Sequence, residues 1–213
     1  MKLNLSVDEV LSTTRAVRKR LDLTRPVPRA VLEECLELAL QAPNGANRND
    51  WRWIIVDDPA MIAKLADEYR AAMGVLWDGQ RRGQPSVTAG VPREDKLMDS
   101  AFSLAEKLDR VPVMLIPLMP GRPDGKSTPE QAPMWGSIVQ AVWSFFLALR
   151  ERGLGSVWAT VASRREREIA DLLGVPFDDY TQVGLFPVAY TIGVDFKPAW
   201  RKPVSEVLTY NRF

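Results

Sequence analysis

Apolar residues recur along the chain with two periods, one helical and one extended. Leu32, Leu36 and Leu40 repeat every four positions, which predicts an amphipathic helix over residues 29–41. Residues 51–56 form a short run of aromatic and β-branched residues, which is typical of a buried strand. The same patterns predict further helices at 6–13, 57–77, 97–108, 134–153 and 163–174, and further strands at 111–119, 157–161 and 182–192.

Helical and extended segments are interspersed, and neither an internal repeat nor a low-complexity linker divides the chain. This order predicts a single α+β domain over residues 1–213. Residues 78–95 have few large apolar side chains and several turn formers, so we expect a surface loop or lid there. Residues 193–213 form a proline-interrupted tail, which can pair with its own sheet or with a neighbouring chain.

Two helices carry more specific signals. Ser163 and Glu166 have the spacing of a capping box, and Gly174 is predicted to end that helix in a left-handed conformation. The most apolar helical stretch, residues 134–149, is interrupted by polar residues, and we expect it to be too short and too polar to span a bilayer. It predicts a helix buried within the protein.

Composition narrows the chemistry. Lys and Arg number 28 against 27 Asp and Glu, so a net charge of +1 provides no field that would attract nucleic acid or a membrane surface. The chain has no histidine, which excludes a Ser-His-Asp mechanism and imidazole metal sites, and we expect no metal. Its single cysteine, Cys35, falls at a helical apolar position and is expected to be core packing in a reducing, cytoplasmic compartment. Difficult chemistry would therefore belong to a bound cofactor.

Two N-terminal segments are candidate ligand sites. Arg15 and Arg18 begin a compact basic cluster, and guanidinium groups make bidentate contacts with phosphate. On charge alone, a solvated basic turn explains the cluster more simply. Residues 42–51 are rich in Asn, Gly and Pro, and their amides could bond the mixed donor and acceptor edge of a flavin ring. A connecting turn is the alternative.

Two C-terminal segments also require interpretation. Residues 153–160 superficially resemble a dinucleotide fingerprint, but the last glycine is missing, and the order is helix then strand, so we reject a Rossmann site. A glycine at a helix end explains this segment locally. Lys197, Arg201 and Lys202 follow a predicted strand and could join the N-terminal arginines around one phosphate, or they belong to a polar tail.

Taken in chain order, these segments resemble the FMN-dependent nitroreductase family. The R-A-V-R segment at 15–18 is similar to an R-S-x-R motif, and residues 42–51 are similar to an A-P-S-x-x-N-x-Q-P-W loop. Residues 153–160 resemble a G-L-G-x-x-W/T segment, and 187–193 a P-x-x-x-x-x-I-G segment followed by basic Arg201. The similarity covers essentially the whole chain.

The resemblance implies an α+β fold whose central mixed or antiparallel sheet is flanked by helices, with a C-terminal tail extending onto the partner chain. It also implies a homodimer with FMN at its interface. Arg18 would lie near the flavin's pyrimidine edge and stabilise the reduced anion, while Arg201 would meet the phosphate, helped by Lys197 or Lys202. The cofactor-binding residues implied by the resemblance are Arg15, Ala16, Arg18, Pro43, Asn44, Gly45, Asn47, Ala159, Thr160 and Arg201.

The sequence departs from the family pattern at several of these positions. Thr14 replaces an often basic residue, and Ala16 replaces the common serine. Asn44-Gly45 stands where Ser-Ser is usual, and residues 49–50 replace Gln-Pro. These changes suggest a subgroup whose acceptor need not be a nitro compound.

The implied activity is hydride transfer from NAD(P)H through flavin N5 to a small organic acceptor, such as a nitroaromatic or a quinone. No general acid is evident, and Tyr69, Tyr190 and solvent are open candidates. Trp77 is a candidate wall of the acceptor site, or a packing residue at a helix end. The alternatives are a same-fold enzyme that dehalogenates, dehydrogenates or fragments the flavin, a flavin-binding protein without turnover, and a globular interaction domain.

Overall fold

The computed structural model describes residues 2–81, 90 and 94–213. Helices and strands are interspersed in this part of the chain, as the sequence predicts. The helices are α1 (Val7–Thr13), α2 (Arg29–Ala39), α3 (Pro59–Arg81), α4 (Glu94–Ala105), α5 (Thr128–Glu151) and α6 (Glu166–Leu173). The strands are β1 (Arg52–Val56), β2 (Val113–Pro120), β3 (Leu154–Ser156), β4 (Tyr180–Gln182) and β5 (Phe186–Tyr190).

The strands form one sheet in the order β1-β2-β5-β3, with β4 also pairing with β2. Every pairing between these strands is antiparallel. The predicted α+β class is confirmed. A mixed or an antiparallel sheet was expected, and the sheet of the described residues is antiparallel.

Both faces of the sheet are buried, and β2 shows how the sequence achieves this. Its side chains alternate between two hydrophobic clusters: Met114 and Ile116 face the cluster that includes residues of α3 and α6, while Val113 and Leu115 face the cluster built by α2 and α5. Because helices cover both faces, β2 is an almost continuous apolar run and not a half-polar strand.

Helix α5 is longer than the apolar stretch that the sequence indicated. It begins at Thr128 behind a capping box of Ser127 and Glu130. By length and composition it is the one helix of the described residues that could cross a membrane, with a mean hydropathy of 1.4 over an 18-residue window, of which 39% is buried. The expectation that it is too short was therefore wrong. Its buried apolar side chains, including the fully buried Phe145, pack in the cluster shared with α2.

Three local predictions near the end of the chain were wrong. The strand predicted at 157–161 lies earlier, at Leu154–Ser156, and the chain then turns into 3₁₀ conformation over Thr160–Arg165. The capping box at Ser163 and Glu166 does not form, because α6 begins only at Glu166 itself. The strand predicted at 182–192 is split by Gly184 into β4 and β5. The helix end at Gly174 is confirmed, with a left-handed φ of 66°.

Much of the loop expected at 78–95 lies outside the described residues. Its first part was predicted wrongly, since α3 continues to Arg81, and α4 already begins at Glu94. The tail after β5 contains a single 3₁₀ turn, Val204–Glu206, and all its residues from 200 onward are exposed.

Candidate cofactor site

A cleft of about 660 Å³ opens between α3, α4 and the chain that follows β3. This volume lies in the range usual for small-molecule sites. The walls contributed by α3 and α4 are almost entirely apolar. The rest of the lining comes from Arg18 and from the chain after β3, which includes Arg164. The lining residues are Arg18, Tyr69, Met73, Leu76, Leu97, Met98, Ala101, Leu104, Val157, Trp158, Ala159, Thr160, Val161, Ser163 and Arg164.

Arg18 supplies a partly buried positive charge to this cleft. Its guanidinium makes no hydrogen bond or ion pair with another described residue, and burial lowers its pKa, an effect opposed by the nearby phenol of Tyr69. Burial likewise raises the pKa of Tyr69, an effect that Arg18 opposes. A desolvated cation without a carboxylate partner is costly unless a ligand supplies negative charge or hydrogen-bond acceptors.

Backbone pairing brings Arg18 next to the segment after β3. The Val17 amide donates to the Ser156 carbonyl at 2.8 Å, so the R-A-V-R segment runs beside β3. Gly155 makes this approach possible, because a Cβ there would meet the Val17 and Thr191 side chains at 2.9 Å. The glycine that resembled part of a dinucleotide fingerprint therefore allows Val17 and Thr191 to pack closely on β3.

Ala159 and Thr160 reach the cleft because the chain turns away from the sheet after β3. The Trp158 indole donates to the Val183 carbonyl at 2.8 Å and covers Gly184, where a Cβ would meet the indole Nε1 at 2.5 Å. The Ala159 amide donates to the Leu185 carbonyl at 2.9 Å. This turn leaves Thr160 exposed in the cleft that Arg18 also lines.

Arg15 is brought to the beginning of the tail. It is exposed, and its Nη1 lies 3.4 Å from the Lys197 carbonyl oxygen. Ala16 lies between Arg15 and Val17 and is exposed. Arg201 lies four residues beyond Lys197, and its guanidinium donates a hydrogen bond to the carbonyl of Trp200. The structure therefore joins the two basic segments at Lys197.

A second cleft, of about 580 Å³, lies between the loop after α2 and the first half of α5. Asn44 and Gly45 line it, whereas Pro43 and Asn47 belong to the same loop without lining the cleft. The Gly45 amide donates to Ser137 Oγ of α5 at 2.8 Å, which fixes the loop on that helix.

This loop holds three non-glycine residues in the left-handed region: Ala46, Asn47 and Asn49, with φ of 54°, 52° and 53°. Such conformations cost about 1 kcal/mol or more for a residue with a Cβ and persist only where the surroundings enforce them. Side-chain hydrogen bonds between Asn44 and Asn49 help to enforce them here. These hydrogen bonds give the loop a defined conformation, which a simple connecting turn would not need.

The two groups of expected cofactor residues lie on opposite faces of the sheet. The cleft with Arg18 and Thr160 is walled by α3, on the side of α6, whereas the cleft with Asn44 and Gly45 is walled by α5. One bound molecule of cofactor size therefore cannot contact both groups within one chain.

The candidate proton donors and the candidate wall are separated in the same way. Tyr69 lines the cleft with Arg18, but Tyr190 belongs to the cluster around α5, with the Arg25 guanidinium 3.4 Å above its ring. Trp77 does not line the cleft. Its ring centroid lies 4.3 Å from that of Phe102, which favours its interpretation as a packing residue that joins α3 to α4.

Met73, Leu76 and Arg164 line the cleft but were missed by the sequence analysis, which named Tyr69 only as a candidate proton donor. Tyr69, Met73 and Leu76 are spaced as one face of α3, so helical periodicity could have identified this wall of the cleft. Arg164 has no such signal, because only the 3₁₀ turn after β3 carries it to the cleft. Cys35 is fully buried as expected, and burial raises the pKa of its thiol to about 11.

Comparison with known proteins identifies this arrangement. The Nitroreductase family model matches residues 11–190. YfhC of Bacillus subtilis (strain 168), which carries the provisional name NAD(P)H nitroreductase, is 25% identical over 167 residues, or 78% of this chain and 75% of that protein.

Solved structures of the same shape support the fold. A BluB-like flavoprotein of Clostridium difficile 630 is 17% identical with a TM-score of 0.72, over 98% of this chain and 100% of that one. An iodotyrosine deiodinase bound to FMN and 3-iodo-L-tyrosine is 23% identical with a TM-score of 0.71 over the same shares. The FMN- and NADPH-dependent nitroreductase NfnB of Sphigopyxis sp. strain HMH is 24% identical with a TM-score of 0.71, again over 98% and 100%. The family match over residues 11–190 confirms the oxidoreductase assignment drawn from the motifs, and the chain belongs to the nitroreductase family.

Proposed function

We propose that this protein is an FMN-dependent oxidoreductase, which takes hydride from NAD(P)H and delivers it to a small organic acceptor such as a quinone or a nitroaromatic. The observation that carries the proposal is the position of Arg18. Its partly buried guanidinium forms no hydrogen bond or ion pair with a described residue and lies in the cleft that Thr160 also lines. Relatives named as nitroreductases and an FMN-bound neighbour of the same fold support the same assignment.

The residues of the cleft fit a flavin. Arg18 offers donors and positive charge for the carbonyl and nitrogen acceptors of a pyrimidine edge. Ala159 and Thr160 would run along the ring, and the apolar side chains of α3 and α4 would cover it. At the other end, Arg15 meets the start of the basic tail, where Lys197 or Lys202 and Arg201 would approach the phosphate.

Bound FMN would supply reversible two-electron chemistry by accepting hydride at N5. The contribution of the chain is electrostatic and geometric. Arg18 would hold positive charge where the reduced ring becomes anionic, and charge in a desolvated cleft acts more strongly than charge in water. Met73 and Leu76 would exclude water from the ring. Solvent or the Tyr69 hydroxyl would deliver the proton.

We propose that the functional unit is a homodimer, with the flavin between Arg18 and Thr160 of one protomer and the loop of Pro43, Asn44, Gly45 and Asn47 of its partner. The support is that these groups lie on opposite faces of the sheet of one chain. Apolar surface is also uncovered along α5, where Trp143 is 44% exposed, and along the tail, where Trp200 is 62% exposed. A second copy, with the tail extended onto it, would bury both surfaces.

The cleft favours an apolar, planar acceptor. The walls from α3 and α4 offer Met, Leu and Ala side chains, and the charged residues among its described lining are Arg18 and Arg164. Such a lining suits an aromatic ring without a positive charge. We further propose a cytoplasmic location, where the buried thiol of Cys35 and the supply of reduced nicotinamide are both maintained.

The test is steady-state oxidation of NADH and NADPH by the FMN-loaded chain with a panel of quinones and nitroaromatics. We expect turnover with at least one acceptor and a large loss in Arg18→Ala supplied with excess FMN. A chain that retains FMN but is reduced by neither nicotinamide would contradict the reductase and favour a flavin-binding protein without turnover. Release of iodide or of a flavin fragment without acceptor reduction would favour another enzyme of the same fold.

A further inference from the structure

Arg20 holds the beginning of the C-terminal tail by three contacts. Its Nε donates to the Ile192 carbonyl at 2.8 Å, and its Nη1 donates to the Asp195 carbonyl at 2.9 Å. Its guanidinium carbon lies 4.1 Å from the centre of the Phe196 ring. Hydrogen bonds from a charged donor and a stacked cation on one residue fix both the direction and the distance of the segment.

Two further residues complete this arrangement. The Arg150 guanidinium carbon lies 5.1 Å from the Phe196 ring centre, and Arg150 is only 6% exposed, with its Nε donating to Thr13 Oγ1 at 3.0 Å. Gly193 has a left-handed φ of 72°, and a Cβ there would lie 2.8 Å from Arg20 Nη2. Residues 192–196 are therefore fitted closely to the two arginines.

The fit of residues 192–196 fixes the position of the next residue, Lys197. The Lys197 carbonyl is placed 3.4 Å from Arg15 Nη1, so the basic tail segment that includes Lys202 starts beside Arg15. Neither Arg15, Lys197 nor Lys202 forms an ion pair with a described carboxylate. An anionic group bound between Arg15 and this basic tail segment would be attracted by both.

A buried hydroxyl at the same place also lacks a partner. Ser156 is 1% exposed, and its Oγ makes no hydrogen bond. It lines a small cavity of about 10 Å³ together with Arg15, Arg150 and Phe196. Buried polar atoms are seldom left unsatisfied in folded proteins, and a cavity of this size has room for one water at most, so the hydroxyl adds a polar group beside Arg15 but does not itself hold an anion.

We propose that Arg20 and Phe196 form a latch, which positions the basic tail against Arg15 and thereby makes the site selective for a phosphorylated flavin over the same flavin without phosphate. This inference rests on the proposed function. Arg20 and Phe196 are positioning residues, because their contacts are with the tail. The latch acts only on the phosphate end of the flavin. The ring end would lie against Arg18, Ala159 and Thr160, in the cleft walled by α3 and α4.

The test compares the dissociation constants of FMN and riboflavin, followed by quenching of flavin fluorescence, in Arg20→Ala and Phe196→Ala. We expect the constant for FMN to rise about tenfold, since one charge-assisted contact is worth about 1.4 kcal/mol, and the constant for riboflavin to change less than about twofold. Phe196→Tyr keeps the ring and should keep the affinity for FMN.

Arg25→Ala is the matched control. Like Arg20→Ala, it removes a guanidinium that stacks on an aromatic ring, but this ring is that of Tyr190 and does not belong to the tail. Arg25→Ala should leave both constants unchanged. Equal changes for both flavins in the latch variants, or no change for FMN, would overturn the latch while leaving the proposed function intact. An unaltered chain that binds neither flavin would overturn the proposed function and the latch together.

Discussion

Arg18 and Tyr69 share one cleft, and each opposes the effect of burial on the pKa of the other. Burial makes the guanidinium easier to deprotonate and the phenol harder, while their proximity favours charge on both. The pair comes from different parts of the chain, the segment beside β3 and the middle of α3. Its position makes Arg18 the residue on which the proposed chemistry depends most.

Arg18→Ala should weaken FMN binding and make the bound flavin harder to reduce. Loss of the charge beside the reduced ring destabilises the anion, and 1.4 kcal/mol corresponds to a tenfold change in affinity and to about 30 mV for a two-electron couple. We expect a dissociation constant at least about tenfold higher and a reduction potential about 30 mV more negative, measured by fluorescence titration and by dye-coupled reduction. Arg110→Ala, which removes an exposed arginine outside the cleft, should change neither.

Arg164 should influence which acceptors are preferred. It is exposed at the cleft and makes no ion pair with a described residue, so it offers positive charge to an incoming molecule. In Arg164→Ala, kcat/KM for a carboxylated quinone should fall about threefold relative to a neutral quinone, as expected for an exposed charge.

Arg167→Ala serves as the control for Arg164, since Arg167 stacks on Phe177 and does not line the cleft. The ratio of the two kcat/KM values should be unchanged in this variant. An equal ratio in Arg164→Ala and the unaltered chain would show that Arg164 does not select acceptors.

Trp143→Asp should weaken the proposed homodimer. Trp143 is 44% exposed on α5 and stacks on Phe146, so a second copy would bury a large apolar ring there. Burial of such a ring is worth about 1.5–3 kcal/mol, and we expect the dimer dissociation constant to rise at least about tenfold in sedimentation experiments. Val75→Asp, which changes a 54% exposed residue of α3, is the control. A monomeric unaltered chain would contradict the shared site.

Ala46→Gly should stabilise the chain. Ala46 has a φ of 54°, and glycine adopts this conformation without a Cβ clash, although its greater freedom in the unfolded state offsets part of the gain. We expect the free energy of unfolding of Ala46→Gly, measured by urea denaturation, to be about 0.5–1 kcal/mol higher than that of the unaltered chain. Ala71→Gly, within the exposed face of α3, should instead cost about 1 kcal/mol. Equal effects at both positions would contradict the strain in the loop.

Cys35 should make stability depend on pH in the alkaline range. Its folded pKa is raised to about 11 from an ordinary 9.0, so the folded state binds the thiol proton more tightly than the unfolded state. The stabilising contribution is complete below pH 9.0 and is lost as the pH rises toward 11, about 2–3 kcal/mol in all. The free energy of unfolding of Cys35→Ala, measured by urea denaturation at each pH, should not show this part of the decline with rising pH. Parallel pH profiles for the two chains would contradict the assignment.

Periodicity predicted much of the fold because burial on both faces of the sheet produces continuous apolar runs, as in β2. It failed after β3, where a β-branched run suggested a strand at 157–161. The chain turns there because the Trp158 indole packs on Gly184, a contact between distant residues that no local pattern contains.

The candidate site was predictable where a motif carried it. Arg18 and Thr160 were named from the resemblance, and the structure brings them to one cleft. The wall from Tyr69 to Leu76 was available from helical spacing alone. The contacts of Arg20 with residues 192–196 were not, because they depend on how the end of the sheet places two segments separated by most of the chain.

The most direct test of the account is the visible absorption spectrum of the purified chain before and after addition of FMN. Arg18 and Thr160 in one cleft, with Arg15 at the tail, predict a flavin spectrum with close to one FMN retained per chain, bleached on addition of NADH or NADPH. A colourless chain that takes up no FMN would contradict the central claim that this cleft holds the cofactor.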